Sequence, residues 1–159
     1  MGKNINIKLA LPEDVPVIMD LIRELAEYEK LLEQVAVTEE SLRTWLFEKE
    51  IAETLIARLD NEPVGYALFF HNFSTFLGRA GIYLEDIYVR PSMRKMGIGR
   101  SLLTAVARIA KERGCGRLEW ACLDWNEPSI NFYRSLGAKP LTAWTIFRLT
   151  DAEIEKLAD

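Results

Sequence analysis

Val89-Arg90-Pro91-Ser92-Met93-Arg94-Lys95-Met96-Gly97-Ile98-Gly99-Arg100-Ser101-Leu102-Leu103 is the stretch that decides how this chain reads. A β-branched, apolar run ends at Val89. A proline opens a turn, two basic residues follow, and two glycines one residue apart lead into an amphipathic helical pattern. A strand, a tight turn and a helix start in that order leave main-chain N–H groups pointing out of the helix end, where the helix dipole favours an anion. Gly97 and Gly99 lack Cβ, so a ligand can lie against the backbone. Arg94 and Lys95 bring positive charge to the same turn. The pattern is that of a pyrophosphate cradle, set against a helix start that uses glycine for turn geometry alone. It is not a Walker A loop, which has a longer glycine spacing and ends in Gly-Lys-Ser/Thr. It also lacks the third glycine of the dinucleotide fingerprint, whose place Leu102 takes.

Downstream, Asp124-Trp125-Asn126-Glu127-Pro128-Ser129-Ile130-Asn131-Phe132-Tyr133-Arg134-Ser135-Leu136-Gly137-Ala138 reads as a second helix. Asn126 suits its N-cap, Glu127 and Pro128 its first turn, and Gly137 its C-terminal stop. Ile130, Tyr133 and Leu136 share one face. Together, Arg94-x-x-Gly97-x-Gly99 and the Asn126-to-Gly137 pattern some thirty residues later resemble the coenzyme A motifs of the GNAT N-acetyltransferases. The resemblance is closer still to the spermidine/spermine branch, which includes diamine and thialysine acetyltransferases. Leu25-Ala26-Glu27-Tyr28-Glu29, Glu33-Gln34-Val35, Thr38-Glu39, Tyr83-Leu84-Glu85-Asp86, Gly97-Ile98-Gly99 and Trp125 through Tyr133 carry it.

At 159 residues the chain is expected to be a single acetyltransferase domain over 1–159. Hydrophobic residues make up 49% and charged ones 28%, which argues against disorder. The net charge of −4 disfavours general binding to nucleic acid or an anionic membrane and suits a cationic substrate. Residues 1–7 alternate like a strand and do not read as a signal peptide. No run reaches membrane-spanning length, and Asn6 stands where a myristoylation motif needs Ser or Thr. A cytoplasmic enzyme is the expectation. Cys115 and Cys122 match no zinc spacing and His71 is the single histidine, so reduced structural thiols and no metal are expected.

Alternation at Ile5, Ile7 and Leu9 predicts a strand. Pro12-Glu13-Asp14 opens a helix whose apolar face includes Val15, Ile18, Ile22, Leu25 and Ala26. Thr38 caps another, with Leu42, Trp45 and Leu46 inward. Strands are predicted at 54–59 and 64–71 around an Asp60-Asn61-Glu62-Pro63 turn, then a loop over 72–79 and a buried central strand at 82–89. A helix at 100–113, a strand at 117–123, the Asn126 helix and a late strand at 141–149 follow. Thr150-Asp151-Ala152-Glu153 is a capping box for a tail helix. The fold class is α/β. The resemblance implies the GNAT fold, a mixed central β-sheet flanked by helices, whose parallel strands 82–89 and 117–123 splay to admit acyl-CoA.

Acetyl transfer to an amine requires a neutral amine, a donor for the carbonyl oxygen as charge develops and a proton for the departing thiolate. An alkyl ammonium has a pKa of about 10, so a carboxylate that takes the proton is useful. Glu85 and Asp86 are adjacent on a strand, so at most one faces the cleft unless a bulge re-aims the other. The resemblance makes Glu85 the base and a substrate contact. It makes Tyr133 the acid at the CoA sulfur, although by periodicity alone Tyr133 belongs to the apolar stripe with Ile130. It also implies acetyl-CoA as cosubstrate, held by Ile87, Tyr88, Val89, Arg94, Lys95, Met96, Gly97, Ile98, Gly99, Arg100, Asn126, Ser129 and Tyr133. The backbone of Ile87–Val89 would pair with the pantetheine amides, and the N–H of Tyr88 or Val89 would face the acetyl oxygen. Tyr28, Glu29, Glu33, Glu85 and Trp120 would meet a small amine. For Glu29 and Glu33 the other reading is an exposed helix face, and for Trp120 and Trp144 it is core. Leu141-Thr142-Ala143 replaces the acidic residues of the mammalian polyamine enzymes and their long early loop is missing, so a diamine or a lysine-like amine fits as well as a polyamine. The alternatives are a protein N-terminal or lysine acetyltransferase, or a non-catalytic acyl-CoA sensor. The resemblance further implies a homodimer.

Overall fold

In the computed structural model, which describes residues 4–159, the chain divides after Ala121 into two units. The first holds one five-stranded sheet in the order β1 (Ile5–Leu9), β2 (Glu53–Leu59), β3 (Glu62–Ser74), β4 (Arg79–Val89) and β5 (Leu118–Trp120). The first three junctions are antiparallel and the last, β4 with β5, is parallel. β2 and β3 turn on Asp60 and Asn61, both left-handed at φ 49° and 72°, a geometry that Asp and Asn tolerate and that matches strand twist.

Helix α1 (Val15–Tyr28) buries Val15, Ile18 and Leu21 completely, one stripe at three-residue spacing. Lys30, left-handed at φ 61°, marks the break after it. Helix α2 (Glu39–Leu42) starts where Thr38 Oγ1 accepts the Ser41 N–H at 3.1 Å. It continues over Arg43–Glu48 as a wider turn, with Lys49 N–H donating to the Thr44 carbonyl. Val15, Ile18, Leu42, Leu46 and Ile56 form one apolar cluster, and Leu21, Tyr66 and Tyr88 another beside it. Helix α3 (Ile98–Glu112) buries Ile98, Leu102, Leu103, Val106 and Ala110 and touches β1 through β4. Truncating a fully buried leucine such as Leu102 to alanine costs about 2–5 kcal/mol.

The second unit contains α4 (Glu127–Ser135) and α5 (Asp151–Ala158). Asn126 Oδ1 accepts the Ser129 N–H at 3.4 Å to start α4. Glu153 Oε2 accepts the Thr150 N–H at 3.0 Å at the start of α5, the expected capping box.

Four expectations are corrected. The loop expected over 72–79 narrows to a turn at 75–78: pairing continues to Ser74↔Arg79, so β3 and β4 form a long hairpin whose strand alternation the polar Asn72 and Ser74 obscure. The strand expected over 117–123 shrinks to Leu118–Trp120, because parallel pairing stops at Leu84↔Trp120. Residues 141–149 are not a strand. Leu141, Trp144, Ile146, Phe147 and Leu149 are all exposed, and no strand pairs with them among the described residues; a ladder needs a partner. Trp45 points outward with the Lys49 ammonium 4.1 Å from its ring. The strand reading of residues 1–3 lies outside the described residues.

Candidate active site

The register of β3 against β4 slips at one place. Leu68 pairs with Asp86 and Phe69 with Leu84, so Glu85 has no partner on β3. This is a β-bulge: one extra residue bends its strand and re-aims a side chain. The parallel pairing of β5 ends at Leu84, the residue before the bulge. Among the described residues no strand pairs with Ile87–Val89 on that side, which leaves their backbone open for an extended ligand.

The bulge brings both acids to one cavity of 430 Å³. Ile22, Leu25 and Ala26 of α1 line it, with Glu29 just past the end of α1, Leu31 and residues 34–37 of the following loop, and Glu85 and Asp86 of β4. Three of its lining side chains are carboxylates and none is Lys or Arg. Glu29 is held above the usual carboxylate range by burial and then by the charge of Asp86. Asp86 is also raised, chiefly by burial; the hydroxyl of Tyr66, donating to its Oδ2 at 2.8 Å, pulls the other way. Uncompensated carboxylates in a partly buried pocket attract a cationic guest.

At the start of α3, Gly97 is left-handed at φ 79° and Lys95 at φ 64°. Gly97 sits at the N-cap and gives the helix no side-chain cap, whereas Thr38 and Asn126 cap α2 and α4. The first N–H groups of α3 are thus left for an outside acceptor. Gly99 has ordinary helical backbone, and a Cβ there would meet only the Val89 methyl at 3.8 Å. A Cβ on Gly97 would meet nothing within 4 Å. Packing within the protein does not require glycine at 99, but a group lying against the main chain would. The turn therefore fits a pyrophosphate. The acetyltransferase (GNAT) family model matches residues 18–138, and both the bulged Glu85 and this turn fall inside that span.

The chain belongs to the GNAT acetyltransferase family. It is 42% identical to the thialysine N-epsilon-acetyltransferase of Bos taurus over 164 residues, covering 96% of each chain. It is 32% identical to an L-ornithine acetyltransferase of Arabidopsis thaliana, covering 95% of this chain and 86% of that one. Among solved structures, an integron cassette protein of V. cholerae superposes with a TM-score of 0.81 at 26% identity, covering 99% of both chains.

Within this GNAT chain the other candidate residues fall in distinct places. Arg94 is exposed and folds back along the turn. Its Nε donates to the Val89 carbonyl at 3.0 Å and its guanidinium lies 4.5 Å from the Tyr28 ring centroid, so it joins the turn to the end of α1. Lys95, Met96 and Arg100 are exposed around it, and Ile98 is buried beneath. Tyr88 and Val89 are buried and Ile87 half-buried. Glu33 is exposed in a short turn over Leu32–Gln34 and is not part of the cavity wall, where Gln34 stands. Trp120 ends β5 level with Leu84 and also lies off that wall. In the second unit, Tyr133 is half-buried with its ring 5.5 Å from that of Phe132; Asn126 is buried as a helix cap; Ser129 is half-buried; Trp144 is exposed. By sequence alone, Asp86 joins Glu85 at the cleft only if a bulge re-aims one of them, and nothing singles out Tyr66. A strict two-residue alternation sends Asp86 and Glu85 to opposite faces, and only the unpaired register at 85 reverses that.

Proposed function

We propose that the chain transfers acetyl from acetyl-CoA to the primary amine of a small cationic substrate (a diamine, a polyamine or a lysine-like amine) by direct attack. The observation that carries this reading is the cavity lined by Glu29, Glu85 and Asp86 with no basic side chain. Acetyl-CoA supplies the activated acyl group when bound, and the start of α3 with Gly97 and Gly99, the backbone of Ile87–Val89, Asn126 and Ser129 are the groups to hold it. Glu85, on the bulge and exposed, takes the ammonium proton directly or through water. Glu29 and Asp86 hold the cationic remainder; Tyr28, under the Arg94 guanidinium, is not on the cavity wall. The N–H of Val89 is the donor for the acetyl oxygen; that of Tyr88 turns toward β3, as the Arg90 N–H does in donating to the Val64 carbonyl. Tyr133 is the proton donor on the thiol side, and Tyr133→Phe should lower kcat about 100-fold at unchanged acetyl-CoA affinity. Cys122→Ser should leave turnover intact; loss of turnover with CoA binding retained would point to a cysteine-borne acyl group instead.

The relatives named for thialysine and ornithine, both amino acids with a terminal side-chain amine, support the lysine-like end of this substrate range. The exposed, unpaired apolar residues Leu141, Trp144, Ile146, Phe147 and Leu149 support a homodimer in which a second copy covers them. Sedimentation should then give twice the chain mass. No helix among the described residues is long and apolar enough to cross a membrane, and we place the enzyme in the cytoplasm. The deciding experiment is thiol release from acetyl-CoA against putrescine, spermidine, spermine, lysine, ornithine, thialysine and a basic peptide. Saturable turnover on one small amine is expected. Turnover on the peptide alone would assign a protein substrate, and binding without turnover a sensing role.

A further inference from the structure

Tyr66 has no exposed surface, and its ring packs with Leu21 and Tyr88 beneath α1. Across the β3–β4 pair it stands diagonal to Asp86, which Leu68 faces directly, so the two side chains share one face of the sheet. Its hydroxyl donates to Asp86 Oδ2 at 2.8 Å. No ion pair to Asp86 is found among the described residues, so a neutral phenol is its side-chain donor. The distinction matters chemically. An arginine or lysine in that place would neutralise the carboxylate, whereas a phenol orients it and leaves its charge for a ligand. Glu29, the residue that follows α1, lines the same cavity.

We propose that Tyr66 is a positioning residue for substrate selection: it holds Asp86 as an oriented, un-neutralised carboxylate, so that Asp86 and Glu29 together favour amines carrying a second cationic group over monoamines. This rests on the reading of the cavity as the amine site. Tyr66 touches no substrate. It acts through Asp86, and its buried ring can lose the hydroxyl without leaving a hole larger than one oxygen atom.

The test compares wild type, Tyr66→Phe, Asp86→Asn and the double variant with 1,4-diaminobutane and butylamine, which differ by one ammonium group. Binding is read by calorimetry without acetyl-CoA, and turnover by thiol release. Tyr66→Phe is expected to weaken diaminobutane binding and raise its KM about tenfold, the scale of one hydrogen bond to a charged group, with kcat and the acetyl-CoA KM unchanged. Butylamine should be unaffected. Asp86→Asn should give at least the same loss, and the double variant no more than Asp86→Asn alone. If Tyr66→Phe leaves the diamine-to-monoamine ratio as in wild type, or weakens both amines equally, the proposal for Tyr66 falls while turnover by the wild type keeps the reading of the function. If the ratio shifts as expected but no protein turns over, Tyr66 keeps its role and the reading of the function falls. If the wild type binds neither amine, both fall.

Discussion

At the start of α3 the groups offered to a ligand are main-chain N–H groups, whereas in the cavity beneath α1 they are side-chain carboxylates. One end of the site is therefore positive by backbone geometry and the other negative by residue identity. The first tolerates almost any side chain that stays out of the way. The second depends on three particular acids and on the one-residue slip that brings two of them together. The two regions should accordingly fail differently when changed.

The largest expected effect is on the side-chain end. Glu85→Gln keeps the size of the side chain and removes the carboxylate we propose as the base, so kcat should fall about 1,000-fold with little change in the acetyl-CoA KM. A full-rate Glu85→Gln enzyme would move the proton acceptor elsewhere. Next is the backbone end. Gly99→Val should raise the acetyl-CoA KM about tenfold or more, because branched carbons fill the space a ligand needs. Stability should change by less than about 1 kcal/mol, since the added Cβ has only ordinary contact with Val89. A fall in melting temperature with unchanged KM would show that this glycine serves the fold.

The smallest effect separates the two ends by sign. Glu29 is raised above its ordinary value of 4.5 in the folded chain, so its ionised form is disfavoured there. The stability it contributes is complete below that ordinary value and is lost as pH rises through the folded value; at neutral pH the charged side chain is a small cost. Glu29→Gln should thus stabilise the fold slightly at pH 7–8, by less than about 0.5 kcal/mol because water screens a half-exposed group, and the gain, read as melting temperature, should vanish near pH 4. The amine KM should rise in the same variant. A destabilised Glu29→Gln would mean that the carboxylate has a cationic partner within the protein.

The backbone end was legible in the sequence because its signal is local. Gly97 and Gly99 need only their neighbours in the chain to be read, and the strand before and the helix after them lie where the apolar pattern puts them. The same holds for Thr38, Asn126 and Thr150 as helix starts. The carboxylate end was only half legible. Glu85 followed from the family resemblance, but the place of Asp86 depends on how β4 pairs with residues 62–74, and the partner of its carboxylate, Tyr66, is 20 positions away in the chain. The segment 141–149 shows the converse. Its apolar residues carry a strand-like pattern with no strand beside it, because a strand is a property of two segments and the sequence displays one.

The bulge at Glu85 has a consequence for how this chain can vary. With one residue unpaired, the spacing along β4 is counted in positions rather than in side-chain types. Deleting Ile87 or Tyr88 would restore a regular ladder, and with it the strict alternation that sends Glu85 and Asp86 to opposite faces; deleting either acid would leave only one. Substitutions in this strand can be absorbed one at a time, but a change of length cannot, so β4 should be intolerant of insertions and deletions well beyond what its burial alone demands.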